Sequence, residues 1–281
     1  MPLVTSKDML LDARRAGYAI AAFNIENMEM ALAVLEAAEE TGTPVIMQTT
    51  PATLRYAPPA VFAGIISALA SRSRVPVVMH LDHGSSLDWV SAALNAGYTS
   101  AMIDGSSLSF EENVAVTREA VRMAAERIPI EGELGRVGGK EDDVQADCDA
   151  NTDPDQAAAF AGQTGANSLA VSIGTAHGFY AKAPVLDKQR LSEIRAALDI
   201  PLVLHGASGL SDEDIRDCVA LGICKVNFAT ELRDVYTKAV RRCLAENPDA
   251  YDPKKYGEAA RLAVKELVIH KIRVCGSGNK A

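Results

Sequence analysis

The chain has 281 residues, 48% hydrophobic and 23% charged, which is enough apolar material for a sizeable core and too much for a disordered chain. A formal net charge of −9 with no basic stripe excludes a nucleic-acid surface, because Arg241-Arg242 and Lys254-Lys255 are isolated pairs. Five scattered cysteines without CxxC spacing, a start (MPLVTSKDML) without a signal-peptide stretch, and no apolar run near the roughly 20 residues of a membrane span predict a soluble, cytoplasmic protein.

A short helix near residues 6–16 comes first. YAIAAFNI then reads as a strand, and MEMALAVLEAAEETG as a helix closed by Gly42. PVIMQTT is the second strand, followed by an Ala/Ile/Leu-rich helix around 58–72. VPVVMHLDH and the helix SLDWVSAALNAG form the third unit, TSAMIDGS and FEENVAVTREAVRMAAER the fourth. PIEGELG is the fifth strand, with DPDQAAAFAGQTG as its helix. SLAVSIGT and LDKQRLSEIRAAL form the sixth unit, and PLVLHGAS with the helix after SDEDIRDCVALG the seventh. CKVNFATE is the eighth strand, with long helical sequence to the end.

Eight short, continuously apolar strands, each followed by an amphipathic stretch, are βα units of a parallel sheet. Eight is the number that closes a (β/α)8 TIM barrel. A doubly wound open sheet would want a phosphate-binding glycine loop after its first strand, and FNIENMEM is not one. The chain is therefore expected to be a single α/β TIM-barrel domain over 1–281, with an extra N-terminal helix and an extended C-terminal helical region. One stretch breaks the rhythm. From Gly138 to Pro154, GGKEDDVQADCDANTDP has no helical or strand period, and a structureless connection of that length predicts a lid.

Three of the five histidines recur in one context, an apolar run leading into His-Gly. They are His83-Gly84 in VPVVMHLDHG, His177-Gly178 in SLAVSIGTAHG and His205-Gly206 in IPLVLHG. Three neutral imidazoles converging on one point make a divalent-metal site with an open coordination position, the arrangement of catalytic zinc. In a TIM barrel that point lies at the C-terminal ends of the strands, where Asp82, Asp104, Glu133 and Asn227 also fall. Asp82 reads as a general acid–base beside the metal, or as a partner that orients His83. His80 reads as a buried core histidine, and His270 as surface or packing. HGASGL and NFATEL, after the seventh and eighth strands, offer hydroxyls and backbone amides where this fold gathers phosphate.

Together HLDHG, EGELGRVGGKEDD, GTAHGFY, LVLHGASGL and GICKVNFATEL resemble, in order and over essentially the whole chain, the class II metal-dependent ketose-bisphosphate aldolases. The nearest likeness is to the tagatose-bisphosphate branch. The resemblance implies Zn²⁺ on His83, His177 and His205, and Asp82 as the proton carrier. It implies a dihydroxyacetone-phosphate site at Gly178, Gly206, Ala207, Ser208, Asn227, Phe228, Ala229 and Thr230. A monovalent cation, Na⁺ or K⁺, is implied beside the phosphate. Asp104 and Glu133 would be outer or alternate metal carboxylates. A homo-oligomer, dimer or tetramer, is implied as well, and some members work with a non-catalytic companion subunit.

The expected reaction breaks C3–C4 of D-tagatose 1,6-bisphosphate, giving dihydroxyacetone phosphate and D-glyceraldehyde 3-phosphate. Zinc suits the negative charge left on the enediolate. A Schiff-base route is disfavoured because the sixth strand has no lysine and Lys225 starts the eighth. GTAHG, HGASG and NFAT resemble the tagatose branch, while fructose-bisphosphate enzymes more typically show HGGTG. Fructose 1,6-bisphosphate and a deoxy-keto-gluconate phosphate of the inositol pathway are the alternative substrates. A TIM-barrel metallohydrolase would want His-x-His on the first strand, which reads AIAAFNI. A non-catalytic subunit would lack the three histidines.

Overall fold

A strand that is apolar on both faces has to be covered on both, and a barrel ringed by helices does this. The computed structural model describes residues 3–141, 144–146, 151–180 and 182–281, and in it eight parallel strands close into a barrel. These are β1 (Ile20–Asn24), β2 (Val45–Thr49), β3 (Val77–Gly84), β4 (Ser100–Ile103) and β5 (Ile130–Leu134), then β8 (Ser168–Val171), β10 (Leu202–Leu204) and β11 (Ile223–Phe228). β11 pairs back onto β1, Asn227 opposite Ala22. The intervening β6 (Gly138–Glu141), β7 (Val144–Ala146) and β9 (Ala176–His177) form a separate three-stranded sheet.

The helices are α1 (Ser6–Ala16), α2 (Met28–Thr41), α3 (Pro51–Tyr56), α4 (Pro59–Ala70), α5 (Leu87–Ala96), α6 (Phe110–Ala124) and α7 (Pro154–Thr164). They continue with α8 (Lys188–Ala197), α9 (Asp212–Ala220), α10 (Thr230–Glu246) and α11 (Pro253–Val274). Their ends follow local chemistry. Gly42 closes α2 in the left-handed region, and Ser109 with Glu112 forms a reciprocal capping box on α6. Among the described residues no helix is long and apolar enough to cross a membrane.

The extra helix α1 closes the N-terminal end of the barrel. Its Met9, Leu10 and Ala13 pack on Ile20, Ile46 and Val78 in one buried cluster. Above that plug the interior turns polar. Ser6 and His80 both meet Ser100, while Lys225 lies between His80 and Glu131. At the other end of the chain, α11 packs along α2 and α10, as expected of an extended C-terminal region.

Three local features differ from the expectations. First, α3 precedes α4: Pro51 sits in its first turn and the Thr50 hydroxyl accepts from the Thr53 N–H, so a short helix fits before Pro58. Second, the Gly138–Pro154 stretch is not structureless. β6 and β7 pair antiparallel as a hairpin, and β6 also pairs with β9, Gly139 opposite His177. β6 hydrogen-bonds to the histidine loop on one side and to β7 on the other, and such backbone pairing needs no apolar period. Asp142 and Asp143 of the acidic run, and residues 147–150, lie outside the described residues.

Third, the sixth barrel strand ends at Val171, and His177 stands on β9, outside the barrel. Gly139 explains the close approach. A β-carbon there would collide with the His177 backbone, and its φ of +85° is one that glycine adopts freely.

Candidate metal centre

Strand alternation sends neighbouring side chains to opposite faces, so Asp82 and His83 should not share the barrel mouth. A bulge resolves this. The β3–β4 register shifts between Leu81 and Gly84, and His83 takes φ +45°, a rare conformation for a side chain of this size. Gly84 is forced by the same bulge, since a β-carbon there would lie 2.5 Å from the Met102 carbonyl oxygen. His205 follows β10 directly and is fully buried, with Gly206 turning the chain at φ +67°.

The three histidines meet. One nitrogen of each lies within 4.8 Å of one from each of the others. Their ring centroids are 4.6–6.0 Å apart and the planes nearly perpendicular. His83 Nε2 faces His205 Nδ1 at 2.8 Å.

Carboxylates behind two of them set which nitrogens face the centre. His83 Nδ1 is 2.9 Å from Asp104, and His205 Nε2 is 3.1 Å from Glu131. Burial would raise both carboxyl groups. Hydrogen bonding and charge from His83, helped by Ser106, instead hold Asp104 well below the usual range, and Lys225, His205 and His80 do the same for Glu131. Ionised carboxylates only accept, so each imidazole donates from its far nitrogen and turns a lone pair toward the other ring. Two lone pairs at 2.8 Å repel unless a proton or cation lies between them. Burial, the largest influence on His205, disfavours its protonated form, which favours a metal cation in that place. The residues present therefore fit a zinc ion held by three imidazoles.

Glu133 stands beside this group. Its Oε2 is buried without a hydrogen-bond partner and lies 3.9 Å from His83 Nδ1. Burial and the nearby Asp104 charge push its carboxyl well above the ordinary range. His83, Asp104 and Glu133 form a second compact donor set.

Asp82 is buried and held by three side-chain amides. Asn24 and Gln48 donate to Oδ2 at 2.8 and 3.1 Å, and Asn227 donates to Oδ1 at 3.1 Å. Asn227 Nδ2 also lies 3.2 Å from His205 Nε2, so the carboxylate and the histidine share a neighbour. Asn24, Gln48 and Glu131 were not singled out from the sequence. The signal was a polar residue inside an otherwise apolar strand, which is rare without a purpose.

A small, shallow cleft opens beside His177, lined by Asn24, Gly178, Gly206, Ser208, Asn227, Ala229 and Thr230. Ala207 and Phe228, grouped with these residues in the sequence, are fully buried, and Phe228 stacks on Phe23 at 5.7 Å. Their side chains belong to the core. Tyr180 ties the two loops of the cleft together, its hydroxyl accepting from Ala176 N–H and donating to the Gly206 carbonyl, both at 2.7 Å.

The remaining histidines fall as expected. His80 is buried, with burial and Lys225 lowering its pKa well below the ordinary value, and His270 pairs with Asp212 on the surface. Lys225 is buried 2.8 Å from Glu131, beneath His205.

Residues 4–280 match the family model described as "Fructose-bisphosphate aldolase class-II". Among solved structures, the chain is similar to the YdjI aldolase from Escherichia coli K12, with 38% identity, 99% of each chain covered and a TM-score of 0.86. It is 30% identical to a putative fructose-1,6-bisphosphate aldolase from Coccidioides immitis, covering 97% of this chain and 96% of that one at a TM-score of 0.90. A fructose-bisphosphate aldolase from Campylobacter jejuni shares the fold at 24% identity, with 100% and 97% covered and a TM-score of 0.85.

Proposed function

Because the chain belongs to the class II fructose-bisphosphate aldolase family, we propose that it is a zinc-dependent lyase. It reversibly cleaves D-tagatose 1,6-bisphosphate into dihydroxyacetone phosphate and D-glyceraldehyde 3-phosphate. The observation that carries the metal-dependent reading is the convergence of His83, His177 and His205 beside Asp82, at the mouth of a cleft lined by neutral donors.

The chain's own groups divide the chemistry. Asp82 takes the C4 hydroxyl proton as the C3–C4 bond breaks, and the bonding electrons pass into the dihydroxyacetone-phosphate half as an enediolate. In condensation Asp82 returns that proton to the new hydroxyl. Asn24, Gln48 and Asn227 fix the carboxylate so that no reorientation precedes transfer. Asp104 and Glu131 hold His83 and His205 in the tautomers that face the centre. A bound zinc ion supplies the positive charge that the enediolate oxygens need as they form.

The phosphate is assigned to the loops after β10 and β11. Ser208 and Thr230 supply hydroxyls there, Gly178 and Gly206 leave the backbone open, and a monovalent cation would add charge that HGASGL and NFATEL lack. Replacing Ser208 with Ala is expected to weaken dihydroxyacetone-phosphate binding by about 1.5–3 kcal/mol, the worth of a hydrogen bond to a charged group. Metal content should stay unchanged. Equal affinity in that variant would leave Ser208 as a turn residue only.

Substrate choice rests on GTAHG, HGASG and NFAT. Fructose 1,6-bisphosphate is the competing reading, favoured by the family description and by the name of the Coccidioides immitis relative. The two sugars differ only at C4. Measuring kcat/KM on both decides between them, and a higher value on the fructose isomer overturns the tagatose assignment.

A further inference from the structure

The loop that turns after His205 is held from outside the barrel by a carboxylate. The Gly209 N–H donates to Glu231 Oε1 at 2.7 Å, which occupies that backbone donor next to Ser208 of the cleft lining. Glu231 lies in the first turn of α10, and its own N–H lies 3.5 Å from Ser208 Oγ. A negative charge so placed opposes an anion in the adjoining cleft. Its other oxygen is answered from α11: Lys271 Nζ lies 2.7 Å from Glu231 Oε2, close enough for an ion pair though off the hydrogen-bond axis. Lys271 is 5% exposed and also sits over the Phe228 ring at 5.2 Å.

A surface lysine in such a pair contributes little, but a buried one works in a medium of low dielectric constant, where charges are felt over several ångströms. Lys271 lies on α11, outside the barrel strands that carry Asp82 and His83. Its reach toward the site runs through Glu231 to Gly209 and Ser208. We propose that Lys271 is a positioning residue for phosphate recognition. It neutralises Glu231 so that this carboxylate can clamp the Gly206–Gly209 loop without repelling the substrate phosphate. This rests on the assignment of that loop to the phosphate.

The charges predict opposite signs for the two substitutions. In Lys271→Met the carboxylate stands alone, and KM for the bisphosphate rises about tenfold with kcat within about twofold. In Glu231→Gln the side-chain carbonyl still accepts from Gly209 while the lysine charge is left over, and inorganic phosphate competes several-fold more strongly, by the same Coulomb argument. The double variant returns to within about threefold of wild type, as coupled residues should.

Steady-state kinetics, with inorganic phosphate as competitive inhibitor, read all three variants. Each is first checked by circular dichroism for an intact fold, and Lys271→Arg, which keeps the charge, stands in if Lys271→Met does not fold. The arginine variant is then expected at wild-type KM, and a tenfold rise in it overturns the proposal. Unchanged KM in Lys271→Met also overturns it. So does a double variant as weak as the single one, since a strut without electrostatic effect gives that result. If phosphate fails to compete with wild type at all, the loop assignment itself falls, and the failure is separable from the others because it needs no variant.

Discussion

A His177→Ala variant will lose its metal and at least about 10²-fold of its cleavage rate while its barrel stays folded. Two ligands remain where three were needed, and even partners one shell further out are worth about 10–100-fold in metal affinity. The barrel is spared because His177 is not part of it. The residue stands on β9, and the eight barrel strands pair without it. Metal content after dialysis and far-ultraviolet circular dichroism separate the two effects. Activity of the wild type should fall with a chelator and return with Zn²⁺ or Co²⁺. Undiminished metal in the His177→Ala protein would remove this histidine from the donor set.

Asp82→Ala is expected to keep metal and substrate affinity and lose about 10²–10⁴-fold in kcat, the usual worth of a general acid–base. A proton carrier acts in the transition state, so its removal shows in turnover more than in binding. The structure sharpens this by giving Asp82 three amide partners and by placing Asp104 at His83 Nδ1. The alternative role, as the orienting partner of His83, is therefore filled by another residue. Near wild-type turnover would show that proton transfer runs elsewhere, and stopped-flow measurement of cleavage on the metal-loaded variant decides it.

The barrel was legible in the sequence because each strand announces itself as a short apolar run with a helix behind it. The polar groups were legible only where they interrupt that pattern at a strand end, as His205 and Asp104 do. Glu131 and Lys225 were missed or set aside because each sits in an apolar strand whose inward face happens to be polar, and they pair across the barrel over 94 residues of sequence. The bulge at His83 was invisible as well. Alternation gives no warning that Asp82 and His83 face one centre, because the cause lies in a register shift against β4. The hairpin of β6 and β7 was hidden for another reason: β6 pairs with the histidine loop 38 residues on, and backbone pairing of that kind carries no hydrophobic signature.

That outer sheet gives the molecule two thresholds for heat. The barrel is a closed ring with no free edge, while β9 contributes only two residues and leans on a short hairpin. Thermal inactivation should accordingly run ahead of thermal unfolding. In a slow temperature ramp, metal release and loss of turnover would come several degrees below the loss of helical circular dichroism, and added Zn²⁺ would bring the two curves together by mass action. Storage life of the enzyme would then be governed by the grip on one histidine, and a change that stiffens the hairpin would lengthen it without altering the melting point of the barrel.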